Sequence, residues 1–278
     1  MKLCRFQIDG HARNGVVEEG FVVDRNDSAE RHPVGDTRLL APVQPRKYLA
    51  IGLNYADHIA ESGLQAPDVP FFFNKQVTCV VGPGEDVHMP RVSKLLDYEA
   101  ELAIVIGKRC RHVPVEQAAE VIAGYTIAND VSVRDWQLRT PTMTIGKSFD
   151  THGPLGPWLV TGDELGDPHD LGIRTFVNGE QRQNGNTGEM VFNCFEQVAH
   201  LSEAFTLEPG DVIATGTPAG VGAARQPFPE GLLKVGDVVR IEIDGIGELE
   251  NAVIDEPDGY VVPGDPSVLS ITKRRGQI

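Results

Sequence analysis

Apolar residues recur along this chain in short runs, not at helical spacing. Lys2-Leu3-Cys4-Arg5-Phe6 and Gly20-Phe21-Val22-Val23-Asp24 alternate apolar and polar residues around turn formers, which predicts a small strand-rich N-terminal module. β-Branched runs closed by Gly or Asp predict further strands over Leu102 to Gly107, Tyr125 to Asp130, Val212 to Gly216 and Val238 to Asp244. Asn178-Gly179 and Asp244-Gly245 lie between apolar runs, as type I′ hairpin turns prefer. Helices are expected at Ala56 to Ser62, at Val115 to Ala123 entered through Pro114, and at about Asn193 to Phe205.

The paired prolines of Leu40-Ala41-Pro42-Val43-Gln44-Pro45 disfavour both helix and central strand, so this segment reads as a linker. It divides a small N-terminal domain over 1–42 from a catalytic domain over 43–278. The sum predicts a β-dominated α+β fold, a roll or barrel rather than a doubly wound sheet.

At 278 residues, 41% hydrophobic and 23% charged, the chain has the composition of a soluble globular protein. No stretch approaches the roughly eighteen apolar residues of a membrane helix, and Met1 to Gly10 carries no apolar signal core, so no membrane partner and a cytoplasmic location are expected. The four cysteines, Cys4, Cys79, Cys110 and Cys194, form no C-x-x-C pair, which removes thiolate zinc and redox signatures. A net charge of −15 repels phosphate backbones, so nucleic acid is not an expected partner. An acidic substrate remains accessible if a cation sits in the site, because a bound divalent ion dominates its local field.

The run Asp97-Tyr98-Glu99-Ala100-Glu101-Leu102 puts two acids at i and i+2 at the start of an apolar strand, hence on one face. Buried there, like charges are costly without a cation. The next predicted strand ends in Asp130, and a crossover helix at about 115 to 123 would set the two strands side by side. Three carboxylates with open positions suit Mg²⁺ or Mn²⁺ and not zinc. An isolated E-x-E is more often a solvated sheet face; the third acid is what favours Glu99, Glu101 and Asp130 as ligands.

His58 and Glu61 fall at i and i+3 of a short predicted helix, where a carboxylate would orient an imidazole for general-base work. A solvated surface pair is the plainer alternative. Arg134-Asp135-Trp136-Gln137 and Gly146-Lys147-Ser148 follow, supplying a guanidinium fork and one compact cation, each of which could equally pair with Asp135 or Asp150 at the surface. The glycine-rich Ala214 to Gly222 segment is a candidate anion nest of bare N–H groups and Thr hydroxyls. Gln65 to Asn74, within a lid of roughly Gly63 to Val77, is apolar and rich in Pro and Phe, which reads as a packed lid, with a hydrophobic substrate tail as the alternative.

Taken in order, Ile51-Gly52-Leu53-Asn54-Tyr55-x-x-His58-x-x-Glu61, Asp97-Tyr98-Glu99-x-Glu101-Leu102, Asn129-Asp130-Val131-Ser132-x-Arg134-Asp135-x-Gln137, Gly146-Lys147-Ser148-Phe149-Asp150 and Thr215-Gly216-Thr217-Pro218-x-Gly220-Val221 resemble the fumarylacetoacetate hydrolase superfamily. The likeness runs from about Tyr48 to Val253. It implies a mixed β-roll catalytic domain, a homodimer, Mg²⁺ or Mn²⁺ on Glu99, Glu101 and Asp130, and catalytic His58 and Glu61 on a lid. Lys147 would be catalytic, and Arg134, Gln137 and Thr217 would contact substrate. The added acidic ligand of the larger eukaryotic hydrolases has no counterpart in Ala50 to Asn54, which points to the smaller bacterial-type branch. Expected substrates are small 2-oxo or 2,4-dioxo acids, with hydrolysis of an acylpyruvate leading. Decarboxylation of an oxaloacetate-like acid and isomerisation or hydration in aromatic catabolism are the alternatives, and a catalytically silent binding module is the reading from another class.

Overall fold

The computed structural model describes residues 1–258. Its order is strand-dominated. The main sheet runs Arg31–Pro33, Phe21–Asp24, His11–Glu18, Lys2–Ile8, Gly153–Val160, Ile122–Asn129, Ala100–Ile106, Val212–Ala214, Tyr48–Gly52 and Phe71–Lys75, with two short strands appended beside this path. A second sheet of five strands runs Glu180–Asn186, Gly172–Val177, Val238–Ile243, Gly247–Asp255 and Val87–Met89. Leu102, Ile104 and Ile127 from the first pack with Ile173, Ile241 and Leu249 from the second, and the Ala100–Ile106 strand is buried along its whole length. That double burial explains why it reads as an unbroken apolar run.

The N-terminal strands have a small core of their own, Cys4, Phe6, Val22 and Leu39. Lys2 and Leu3 nevertheless pair with Val160 and Leu159, so the module extends the main sheet at its edge. Ala56–Ser62 forms the expected α-helix, closed by Gly63 in the left-handed conformation. Cys194–Ala204 is the longest helix described, and Asn193 with Glu196 builds its capping box.

Three expectations are corrected. Val115 to Val121 is a 3-10 segment and not a crossover helix, since Ile122 already begins the next strand. The strands it joins are therefore antiparallel, Ala100 opposite Asn129. Of the two predicted hairpins, Asn178-Gly179 has both residues at positive φ, as type I′ demands, whereas Asp244-Gly245-Ile246 is a three-residue loop closed by the Ile243–Gly247 pair. The stretch read as a packed lid is half sheet: Phe71–Lys75 pairs with Tyr48–Gly52 as an edge strand. Phe73 and Lys75 alternate inward on it, which a Phe-rich run hides from pattern reading.

Candidate active site

The antiparallel register is what gathers the acids. Glu99 and Glu101 stand at the start of one strand, Asp130 just past the end of the next, and the Asp130 N–H donates to the Glu99 carbonyl at 2.9 Å. A parallel crossover would have put them at opposite ends of the sheet. One carboxylate oxygen from each of the three lies within 4.8 Å of the others, and all three residues are buried.

Two lysines neutralise part of this charge. Lys147 Nζ donates to Glu99 Oε2 and Asp130 Oδ2, each at 2.7 Å. Lys75 Nζ bonds the other Asp130 oxygen and the Lys147 carbonyl. Lys75 was missed in the sequence; the signal was a lone lysine in phase with Phe73 at the end of an apolar run. Arg134 completes the set, its Nε on Asp97 Oδ2 at 2.7 Å and its Nη1 on Glu99 Oε1 at 2.6 Å.

These pairings leave the three acids unequal. Burial alone would raise Glu99, but Lys147 and Arg134 outweigh it and hold the carboxyl well below the usual range. Glu101 is pushed far up by burial and by the adjacent charges of Asp130 and Glu99. Its Oε2 accepts the Gly216 N–H at 2.8 Å, and among the described residues no ammonium or guanidinium reaches it. Three buried oxygen donors, one of them lacking a counter-charge, fit a hard divalent cation and no softer metal.

Lys147 is carried by a tight loop. A Cβ on Gly146 would stand 2.1 Å from the Gln137 nitrogen, so only glycine lets this loop pass the Arg134–Gln137 turn. Trp136 meets Phe149 edge-on at 5.3 Å and holds the two segments together. Gln137 Oε1 accepts from Arg134 Nη1 at 3.0 Å. His152 ends the loop, its Nε2 donating to the His88 carbonyl at 2.8 Å, and burial depresses its pKa to about 3.

His58 Nδ1 lies 3.2 Å from Glu61 Oε2 on the Ala56–Ser62 helix. This is no free surface pair: Glu61 also accepts the Gly220 N–H at 3.0 and 3.2 Å, and Asp57 Oδ2 accepts the Ala219 N–H at 3.1 Å. The glycine-rich segment is thus an anion nest, but one filled by the protein's own carboxylates. Gly216 serves Glu101, Ala219 and Gly220 serve Asp57 and Glu61, and Gly222 and Ala223 serve Asp97 at 2.7 and 2.9 Å. At Gly220, φ is +101° and an added Cβ would lie 2.2 Å from the Arg182 carbonyl.

Gln183 and Asp97 are further residues that sequence reasoning gave no role. Gln183 Oε1 accepts from the Ala100 N–H and Thr175 Oγ1, while its Nε2 donates to Thr217 Oγ1 and the Pro218 carbonyl. It ties the strand between the two glutamates to the Thr217 loop. A buried glutamine in the middle of a polar strand gives no such hint in one dimension. His58, Glu61, Glu99, Glu101, Arg134, Gln137, Lys147 and Thr217 all line one cavity of about 490 Å³, with Asp130 fully buried behind it.

The chain belongs to the fumarylacetoacetate hydrolase family: residues 47–254 match the model described as fumarylacetoacetate (FAA) hydrolase C-terminal. It is 48% identical over 219 residues to the mitochondrial oxaloacetate tautomerase fahd2 of Xenopus laevis, covering 78% of this chain and 68% of that one. Among solved structures, a fumarylacetoacetate hydrolase from psychrophilic Exiguobacterium antarcticum is 39% identical, with a TM-score of 0.84, 92% of this chain covered and 100% of that one. The maleylpyruvate hydrolase from Sphingobium sp. SYK-6, in complex with manganese(II) and pyruvate, is 31% identical, with a TM-score of 0.77 and the same coverage. Among the described residues no helix is long and apolar enough to cross a membrane.

Proposed function

We propose that the protein is a divalent-metal-dependent hydrolase that cleaves a carbon–carbon bond of 2,4-dioxo acids, of acylpyruvate or fumarylpyruvate type, to pyruvate and a carboxylic acid. The observation that carries this reading is one cavity holding both a buried oxygen-ligand cluster with Lys147 and an imidazole oriented by a carboxylate. Glu99, Glu101 and Asp130 would hold Mg²⁺ or Mn²⁺, which when bound would supply Lewis-acid stabilisation of charge developing on the 2-oxo group. Lys147 shares that charge as a buried ammonium. Glu61 holds the proton on His58 Nδ1, leaving Nε2 to take a proton from water. The hydroxide adds to the 4-carbonyl, the C3–C4 bond breaks toward C3, and His58 returns its proton there. Arg134, Gln137 and Thr217 orient the substrate.

Hydrolysis of a panel of 2,4-dioxo acids is expected to vanish from metal-free protein and to return with Mg²⁺ or Mn²⁺. Cleavage that persists after complete metal removal overturns the scheme. A second reading, enolisation or decarboxylation of oxaloacetate, draws on the frog relative's name and needs the same charge stabilisation without an attacking water. His58→Ala separates the two, since hydrolysis collapses while decarboxylation partly persists. The same proposal includes a homodimer working in the cytoplasm, and the mass of the purified protein in solution checks the dimer.

A further inference from the structure

We infer that, of the two substrate types proposed above, the outer half of the cavity selects acylpyruvates whose chain beyond C4 is apolar and uncharged, and that it discriminates against those that, like fumarylpyruvate, end in a second carboxylate. This rests on the reading that a 2-oxo acid binds with its head at the acid cluster. Exposure orders the cavity from inside to outside. Glu99, Glu101, Lys147 and Phe73 are at most 6% exposed and form its floor, while Leu64 at 58% and Leu138 at 79% stand at its mouth. Phe71 and Met143 are half-buried and line the same cavity.

The charges are distributed the other way. Among the described residues lining the cavity, only Arg134 and Lys147 carry fixed positive charge. Both are held at the floor by acids, Arg134 by Asp97 and Glu99, Lys147 by Glu99 and Asp130, so they serve the head of the substrate and not its far end. His58 faces Glu61, whose own charge lines the cavity too. A distal carboxylate would therefore lose water without gaining a cation and would meet an acid. A methylene in its place gains from contact with Leu64, Phe71, Leu138 and Met143, with about fourfold in affinity per group as the upper bound that full burial would give. Large apolar side chains exposed at the rim of a charged cavity are the complement of such a tail.

The test is binding, so that it does not depend on which reaction follows. With Mn²⁺-loaded protein, calorimetry compares 2-oxohexanoate with 2-oxohexanedioate, matched in length and lacking the 4-oxo group. The monoacid is expected to bind about tenfold tighter or more. Leu138→Arg and, separately, Leu64→Lys supply a cation at exposed positions and are expected to shift that ratio about tenfold toward the diacid, leaving pyruvate binding unchanged. Equal or tighter binding of the diacid by the unaltered protein overturns the inference, as does an unchanged ratio in both variants. If pyruvate itself fails to bind, the head-group reading falls and takes the inference with it. If the monoacid is preferred and yet no 2,4-dioxo acid is cleaved, the inference stands and the hydrolase proposal alone fails.

Discussion

The acid cluster and the His58–Glu61 pair share a cavity but are held by different kinds of structure. Glu99, Glu101 and Asp130 come from two central strands whose register is fixed by seven backbone pairings and by burial on both faces. The dyad sits on a seven-residue helix that is fastened to the 219–220 loop by Asp57 and Glu61. Isolated helices this short are unstable in water, so the helix depends on those contacts and on Ile59, its one buried residue. A cation site needs donors fixed to within tenths of an ångström; a group that must admit substrate needs a hold that can be released. The contrast teaches that the sheet holds the acid cluster rigidly while the helix is held by a few contacts that can be released, which on the proposed function would divide ligand geometry from access.

Removing a ligand should break the contrast most completely. Glu101→Gln is expected to lower metal-dependent turnover by about 10⁴-fold and to abolish the thermal upshift that Mn²⁺ gives the unaltered protein. Burial and the charges of Asp130 and Glu99 push Glu101 up, so in the metal-free protein its charged form costs stability at any pH above the ordinary carboxyl range. Metal-free Glu101→Gln is therefore expected to melt higher than the metal-free parent at pH 7 and above, which differential scanning calorimetry reads.

His58→Ala should act on the other side alone. Hydrolysis is expected to fall by about 10² to 10³-fold while the Mn²⁺-induced thermal shift stays as in the parent. Loss of that shift would show that the two regions are not separable.

His152 probes the scaffold that presents Lys147. Its folded pKa of about 3 lies below the ordinary 6.5, so the unfolded chain binds the proton more readily. Stability from this group is intact above pH 6.5 and falls as pH drops from there toward 3, by about 2 kcal/mol at pH 5. His152→Gln is expected to remove that much of the slope in denaturant titrations at pH 7 and pH 5.

The smallest effect is expected at the fastening itself. Asp57→Ala removes the acceptor of the Ala219 N–H and should lower kcat/KM by about tenfold, through faster opening of the helix. Hydrogen exchange of the amides over 56–63 should quicken, with the melting temperature and Mn²⁺ binding held. Unchanged exchange would rule out a fastening role for Asp57.

Much of this site was legible in one dimension. The E-x-E run on an apolar strand, the third acid after the next run, and the i, i+3 spacing of His58 and Glu61 all depend on local period, which sequence carries directly. The helix at Ala56–Ser62 and the Asn178-Gly179 turn are local in the same way. Lys75, Asp97 and Gln183 were not legible as site residues, because their partners in the site are distant in sequence: Asp130 lies 55 positions from Lys75, Arg134 37 from Asp97, and Thr217 and Ala100 34 and 83 from Gln183.

What the sequence determined by itself was the inventory: strand-forming runs, three acids at strand ends, one oriented histidine, and a glycine-rich segment with donors to spare. Only the tertiary structure decided where those donors point. It set the two acid-bearing strands antiparallel, so that a start meets an end, and it filled the nest with Glu101, Asp57, Glu61 and Asp97 rather than with a ligand. The physical reason is that backbone pairing and long-range charge compensation are minimised over the whole fold, whereas spacing along a chain reports only what neighbours a few residues apart can do.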